Sequence, residues 1–249
     1  MPDLHTEYLL RLADNPLILG QRLSEWCGHA PVLEEDLALA NMALDLIGQA
    51  RLLLTHVGAR EGGRDEDQLA FLRSEREFRN CTLVELPNGD FARTVLRNFL
   101  FDAYQLPLWE ALRASSDAQL AAIAAKSIKE TRYHLRHAAD WVVRLGGGTE
   151  ESHGRMQVGL DYLWPYTAEL FTADTVEEAA AAAGLGVTGS SLQAQWETTV
   201  LPVLEEAALP TPARTPFLSQ GKLGVHSEHM GHLLAEMQYM QRAYPGAQW

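Results

Sequence analysis

The chain has 249 residues, of which 47% are hydrophobic and 21% charged, a composition typical of a globular protein with a full core. Its formal net charge of −13 argues against sequence-independent binding to nucleic acid and to anionic membranes, because both require a cationic surface. Two cysteines cannot build a disulfide framework, and acidic residues stand near the N-terminus, where a signal peptide carries positive charge. No apolar run reaches the roughly 18 residues of a membrane span. We therefore expect a cytosolic chain.

Apolar residues repeat at helical spacing along almost the whole chain, and strand-like alternation is missing. The spacing and the capping residues predict helices at 3–13, 15–26, 33–57, 65–78, 90–113, 117–145, 152–170 with a kink at Pro165, 177–183, 190–208 and 225–244. Prolines between residues 210 and 216 predict an extended segment. No linker is long enough to divide the chain, so we predict one all-α domain over residues 1–249, a helical bundle with additional helices.

The helix predicted at 33–57 is apolar on nearly all sides. Between Leu37 and Leu54 its only charged residues are Asp45 and Arg51. A helix of this kind is typical of the centre of a bundle, where every side of it packs against a neighbour. We therefore expect Asp45 to lie in or near the core.

The helix predicted at 117–145 has one apolar side, and Glu130 lies on or beside that side. His134 follows Glu130 by four residues, a spacing that allows both to share one helix face. A carboxylate in such a position requires a partner, because an unpaired buried charge costs several kcal/mol.

Buried carboxylates in a helical bundle invite comparison with two-iron sites. These take one Glu from each of two helices and a Glu-x-x-His pair from each of the other two, so that carboxylate and imidazole reach the same metal. Asp45, Asp102 and Glu130 are the candidate carboxylates of this chain. However, Gly48 stands three residues after Asp45, and Tyr133 stands three residues after Glu130. Both histidines of the template are therefore missing.

Basic residues near these acids could take the place of a lost metal ion. Lys126 and Lys129 precede Glu130 by one turn or less, and Arg51 could neutralise Asp45. We therefore predict a vacant, charge-compensated site and expect Lys126→Ala to lower stability by leaving a buried acid uncompensated. A site that still binds metal, or acids that belong to unrelated core salt bridges, are the alternatives.

A second cluster lies near the C-terminus, where His226, His229 and His232 alternate with Glu228 and Glu236. Spacings of three keep the histidines loosely on one side of a helix, so a zinc site is conceivable. The alternative is the exposed polar face of a helix whose other side packs on the core.

A third cluster concentrates arginines at a spacing of three around an aromatic residue. Its members are Arg76, Glu77, Phe78, Arg79 and Asn80, preceded by a further arginine at position 73. Arginines beside an aromatic ring can hold a phosphate and an adenine, so a nucleotide-like ligand or an acidic partner is one interpretation. A solvated helix with internal Glu–Arg pairs is the other.

Long segments of the chain carry a family resemblance. They are EWCGHAPVLEEDLALANMALDLIGQAR, LAFLRSEREFRN, VELPNGDFA, KSIKETRYHLRH and HSEHMGHLLAEMQYMQRAYPGAQW. Together they resemble the C-type subunits of the bacterial ring-1,2-phenylacetyl-CoA epoxidases of phenylacetate degradation, over essentially the whole chain.

The resemblance implies a ferritin-like fold without a working metal site and a structural, non-catalytic role. It also implies that the di-iron centre and phenylacetyl-CoA belong to a homologous A-type subunit, which this chain would pair with and stabilise. Electrons would reach that subunit from NADPH through a reductase, and the reductase and small subunits are further candidate partners. Tyr239, Tyr244 and Trp249 are candidates for the contact between subunits. The segment 76–80 is a candidate to approach the CoA held by the partner.

Two other functions remain open at this point. The first is an independent di-iron oxidase or oxygenase that uses Asp45, Asp102, Glu130 and His134. The second is a free-standing binding module for an acyl-CoA.

Overall fold

The computed structural model describes residues 3–247, and it contains helices, turns and one isolated bridge between Gln220 and Val225 but no strand in that part of the chain. In chain order the helices are α1 (Leu4–Ser24), α2 (Leu33–Glu61), α3 (Glu66–Phe71), α4 (Thr82–Glu85), α5 (Phe91–Leu112), α6 (Ala118–Gly146), α7 (Glu150–Leu163), α8 (Ala168–Phe171), α9 (Thr175–Ala182), α10 (Gln193–Glu206), α11 (Glu228–Met237) and α12 (Tyr239–Ala243). The prediction of an all-α chain is therefore confirmed.

The helices belong to two compact units. Unit 1 contains the chain up to Pro87 together with the chain from Ser219 onward, and unit 2 runs from Asn88 to Leu218. The chain therefore leaves unit 1 after Pro87 and returns to it at Ser219. The single domain expected from the sequence stays a prediction.

In unit 1, α1 and α2 form the main helix pair, and α1 begins where the sequence predicts. The backbone N–H of Thr6 donates to the Asp3 carboxylate at 2.6 Å, so Asp3 caps the helix. The predicted break before Pro16 is wrong, because α1 runs through this proline. Asn15 does not cap a second helix, since its side-chain oxygen accepts from the N–H of Cys81 at 2.8 Å.

The helix predicted at 65–78 is much shorter in the structure. Asp65 and Gln68 form a capping box at its start, as a helix beginning there requires, but α3 ends at Phe71. Beyond it, the Arg73 guanidinium turns inward to the Asp14 carboxylate, and only a single 3₁₀ turn follows at Glu75–Glu77. A tertiary ion pair thus overrides the local helical pattern.

In unit 2, α5 and α6 form the main pair, and both begin at the predicted caps. Asp90 accepts from the N–H of Arg93 at 3.0 Å, and Asp117 accepts from the N–H groups of Gln119 and Leu120. In the core of the unit, the Trp196 indole N–H donates a hydrogen bond to the backbone carbonyl of Leu100 at 2.9 Å. α7 and α10 pack against both helices of this pair.

Two further predicted helices are interrupted. Residues 152–170 form α7 and α8 with a 3₁₀ turn at Trp164–Thr167 between them, consistent with the predicted kink at Pro165. Residues 225–244 form α11 and α12, and the former begins three residues later than predicted. The segment 210–216 has no regular secondary structure, as its prolines indicate.

Candidate functional site

Asp102 on α5 and His134 on α6 are the two predicted site residues that the structure brings together inside unit 2. Both are buried, and neither lies at the surface. Burial raises the pKa of the Asp102 carboxyl from 3.8 to about 7, and the nearby His134 ring offsets only part of that rise. The Oδ1 atom of Asp102 has no hydrogen-bond partner in the described part of the chain. Because its pKa is close to 7, this carboxyl is protonated in about half of the molecules at neutral pH.

Glu130 and Tyr133 do not join that pair as metal ligands would. The Glu130 carboxylate is half-buried, and its Oε1 lies 3.8 Å from the Lys126 ammonium one turn earlier. Tyr133 is 45% exposed and points to the surface side of α6. Because Tyr133 stands where the template requires histidine, an imidazole at this position would also point away from the core.

Lys126 and Lys129, which the sequence suggests could replace a lost metal ion, lie at the surface instead. Lys126 contacts Glu130 as the i,i+4 spacing allows, but its side chain is 60% exposed. Lys129 is exposed on the same helix. The expectation that these lysines occupy a buried cation position is therefore wrong, and the long, flexible ammonium stems explain why, since water solvates them at little cost.

Asp45, Gly48 and Arg51 lie on α2 in unit 1. Asp45 is half-buried, and the Arg51 guanidinium is exposed, with its Nε 3.5 Å from Glu66 Oε1. Arg51 is thus not the buried counter-ion of Asp45 that the sequence suggests. A Cβ added at Gly48 would meet no heavy atom within 4 Å, so the missing histidine cannot be attributed to lack of space.

The residues do not fit a two-iron centre. That centre requires six carboxylate and imidazole ligands that reach the same point. Of the candidate positions only Asp102 and His134 come together, whereas Tyr133 is exposed and Glu130 contacts the exposed Lys126. Among residues 3–247, no three His, Cys, Asp or Glu side chains are grouped so that they could hold a metal ion.

The arginine-rich segment is built into unit 1 and does not form an open ligand site. Phe78 is fully buried beneath the Arg73 guanidinium, whose Cζ lies 4.2 Å from the ring centroid. Arg79 forms an ion pair with Glu7, and the Asn80 amide donates to Glu85 Oε2 at 2.8 Å.

The expectation that the segment contacts a nucleotide or CoA is therefore wrong for most of its members. Phe78 and Asn80 are buried, and Arg79 is held by its own unit. Glu77 accepts from the backbone N–H of Ser74, a bond that lowers its pKa. Arg76 alone among the five is both basic and exposed.

His226 belongs to a buried network and not to a zinc site. Its Nδ1 bonds to Glu85 Oε2 at 2.7 Å, and its Nε2 bonds to the carbonyl oxygen of Phe78 at 3.1 Å. Both partners are acceptors, so the ring donates from both nitrogens and carries a positive charge. Burial by itself lowers the pKa of His226, but the hydrogen bond and charge of Glu85, together with the Phe78 carbonyl, raise it above its usual value. His229 and His232 are not part of this network.

Glu85 joins three stretches of unit 1 through its side-chain carboxylate and its backbone carbonyl, a link that sequence reasoning missed. Glu85 Oε1 accepts from the N–H of Ser227 at 2.6 Å, and its carbonyl oxygen accepts from the Arg22 guanidinium at 2.7 and 3.0 Å. The partners are 63 and 142 residues away along the chain. No local pattern signals such a link, because the residues meet only in the folded unit.

The structure places two of the three candidate aromatic contacts at the surface. Tyr239 and Tyr244 are exposed, and Trp249 lies outside the described residues. Whether these tyrosines contact another subunit stays a prediction.

The sequence predicts that the apolar side chains of α2 are covered on every side, and this prediction is wrong. Leu33, Leu37 and Leu44 are 70%, 58% and 66% exposed, and Ile47 is partly exposed beside them. We call these four residues the α2 stripe. At 100° per residue the stripe lies opposite the side of α2 that is buried in unit 1, which includes Leu39, Met42 and Leu46. Leucine and isoleucine at helical positions on both sides of α2 are the signal that could have identified the stripe.

Comparison with known proteins places the chain in context. The model of a family described as "Phenylacetic acid catabolic protein" matches residues 2–249. The chain is 52% identical over 244 residues to a protein of Escherichia coli (strain K12) that is named as the C-type subunit of 1,2-phenylacetyl-CoA epoxidase. The alignment covers 98% of this chain and 98% of that protein.

Among the described residues, α2 is the one helix whose length and apolar composition would suffice to cross a membrane.

Proposed function

Because this chain belongs to the phenylacetic acid catabolic protein family, whose fold is ferritin-like and all-α, we propose that it is the structural, non-catalytic subunit of a 1,2-phenylacetyl-CoA epoxidase. In this role it pairs with the catalytic A-type subunit and stabilises it, and the complex acts in phenylacetate catabolism in the cytoplasm. The reductase and the small subunits of the system are further candidate partners. The relative's name supports the proposal, because a protein called a subunit functions in an assembly.

The lack of a converging ligand set carries the non-catalytic part of the proposal. A two-iron centre requires carboxylate and imidazole ligands from four helices that reach the same point. Among residues 3–247 no three His, Cys, Asp or Glu side chains are grouped in that way, and of the candidate positions only Asp102 and His134 come together. We therefore assign the di-iron centre, and the electrons that NADPH supplies to it, to partner subunits.

The surface position of Tyr133 supports the same assignment. At 45% exposure this side chain lies where the template places an inward-facing histidine. The independent oxidase or oxygenase that uses Asp45, Asp102, Glu130 and His134 would require ligands from these positions to converge. In unit 2 Asp102 and His134 come together, but Glu130 is paired with the exposed Lys126.

The proposal is tested by comparing the purified chain with its complex. The chain is expressed alone and together with the catalytic subunit, and iron content, elution volume and NADPH-dependent oxygen consumption are measured for both. We expect co-elution of the two subunits, iron and turnover in the complex, and less than about 0.1 iron per chain without the partner. About two irons per isolated chain, or turnover by this chain and the reductase alone, would establish the independent enzyme instead.

A further inference from the structure

The α2 stripe places four exposed apolar side chains along one side of a single helix. In the most apolar window of α2 only 44% of the residues are buried, although the helix is 29 residues long. One side of α2 packs within unit 1, and the opposite side presents leucine to solvent. Exposed apolar groups in contiguous arrangement are typical of a surface that another macromolecule covers.

The spacing of the stripe fits a helix as its occupant. Leu33, Leu37, Leu44 and Ile47 are separated by four, seven and three residues, the alternation of threes and fours found at helix–helix seams. At 1.5 Å per residue the stripe is about 21 Å long, which corresponds to about four turns of a facing helix. The small residues Ala40 and Gly48 lie along it, and the open space at Gly48 would allow close approach.

The charges beside the stripe restrict the kind of partner. Glu34, Asp36 and Asp45 lie on the flanks, and no lysine or arginine precedes Arg51 in α2. These charges favour a helix whose own apolar seam is flanked by lysine or arginine. An anionic membrane would be repelled by the same acids. A second copy of this chain would bring another net charge of −13 and the same acidic flanks.

We propose that the α2 stripe is the docking surface for a helix of the catalytic subunit, one with an apolar seam and basic flanks. This inference rests on the proposed function, since it takes the catalytic subunit as the occupant. Burial of leucine supplies the affinity, and the acidic flanks set the orientation and disfavour pairing between identical chains.

The test compares three full-length chains for binding to the full-length catalytic subunit. The double variant Leu37→Asp/Leu44→Asp places charge on the stripe. Val158→Asp, on α7 of unit 2, is the matched control because Val158 is 65% exposed, close to the values of 58% and 66% for the two leucines. We expect the double variant to bind at least about 100-fold more weakly, and Val158→Asp to bind within about twofold of the unsubstituted chain.

Circular dichroism and urea unfolding of the isolated chains establish that both variants fold, since all three substituted side chains face solvent. If the double variant is nevertheless unfolded, the milder Leu37→Ser and Leu44→Ser variants replace it, with an expected loss of about tenfold each. Binding of a folded stripe variant within about threefold of the unsubstituted chain would overturn the inference and leave the proposed function intact. Failure of the unsubstituted chain to bind would instead overturn the proposed function, and the inference with it.

The remaining outcomes identify a different occupant. A dimer of the isolated chain that the double variant converts to monomer would overturn the inference in favour of a second copy. Cosedimentation with phosphatidylglycerol vesicles that the double variant abolishes would overturn it in favour of a membrane.

Discussion

The helices α2 and α6 are both 29 residues long, and each buries one side in its own unit, but their other sides differ. α6 exposes lysine and arginine at positions 126, 129, 132, 136 and 144, whereas α2 exposes leucine. The pattern of α6 is that of an ordinary surface helix. Apolar residues on both sides of α2 therefore do not place the whole helix inside the core, and we propose that its exposed side contacts another subunit.

The two units also differ in the surroundings of their buried acids. In unit 1 the Asp14 carboxylate is bound by the Arg73 guanidinium and by the backbone N–H of Arg79. In unit 2 the Asp102 carboxyl lies beside His134 with one oxygen unpartnered, and its pKa is about 7. A buried acid is thus paired with a guanidinium in one unit, whereas burial raises the pKa of the acid in the other.

The strongest test of this contrast removes the partner of Asp14. Arg73→Ala leaves a fully buried carboxylate without its cation, and we expect a loss of about 3–5 kcal/mol in the free energy of unfolding. Urea denaturation at pH 7 measures the loss, and Arg76→Ala is the control because Arg76 is exposed in the same segment. A loss below about 1 kcal/mol for Arg73→Ala would mean that the pair does not hold unit 1 together.

A smaller effect of opposite sign is expected from Asp102→Asn. The folded-state pKa of Asp102 lies above the ordinary value of 3.8, so the folded protein retains a proton that the unfolded chain releases between pH 3.8 and about 7. Stability therefore falls with rising pH over this window and is level above it. Asp102→Asn removes that loss, so its gain in unfolding free energy should grow from near zero at pH 4 to about 2–4 kcal/mol at pH 8.

Urea denaturation at pH 4, 6 and 8 measures this trend, and Asp140→Asn, at an exposed position of the neighbouring helix α6, is the matched control. Destabilisation by Asp102→Asn at pH 8 would contradict this expectation, because it would mean that the folded protein stabilises the ionised carboxylate of Asp102.

The smallest effect is expected on the exposed side of α6. The sequence predicts that Lys126→Ala leaves a buried acid uncompensated, but the ammonium is solvated and lies 3.8 Å from Glu130. A surface pair of this kind contributes about 0.5 kcal/mol or less, so thermal unfolding should shift by no more than a few degrees. A loss above about 2 kcal/mol would instead identify Lys126 as a buried counter-ion.

Local signals were sufficient for much of the fold. The sequence identifies four helix starts because a capping side chain acts within three residues of its own position. These starts are Asp3, Asp65, Asp90 and Asp117. The sequence also identifies Gly48 and Tyr133 as the residues that stand where the metal template requires histidine, because that template has a fixed local spacing.

Contacts between distant stretches explain the failures. The sequence makes Phe78 look available to a ligand, but Arg73 covers it because Asp14 draws that guanidinium into unit 1. His226 stands among other histidines in the sequence, but its partner is Glu85, 141 residues away. The spacing of apolar residues indicates which side of a helix is apolar, but it does not indicate which residues or which partner cover that side.

Site-specific photo-crosslinking can establish whether the catalytic subunit covers the leucine side of α2, as we propose. A benzophenone amino acid is placed at position 44 of α2 or, as the reference, at position 158 of α7, and the assembled complex is irradiated and analysed by mass spectrometry. The account predicts an efficient crosslink from position 44 to an apolar helix of the catalytic subunit that carries flanking lysine or arginine, and none from position 158. A complex that forms normally but gives no crosslink to the catalytic subunit from position 44 would contradict it.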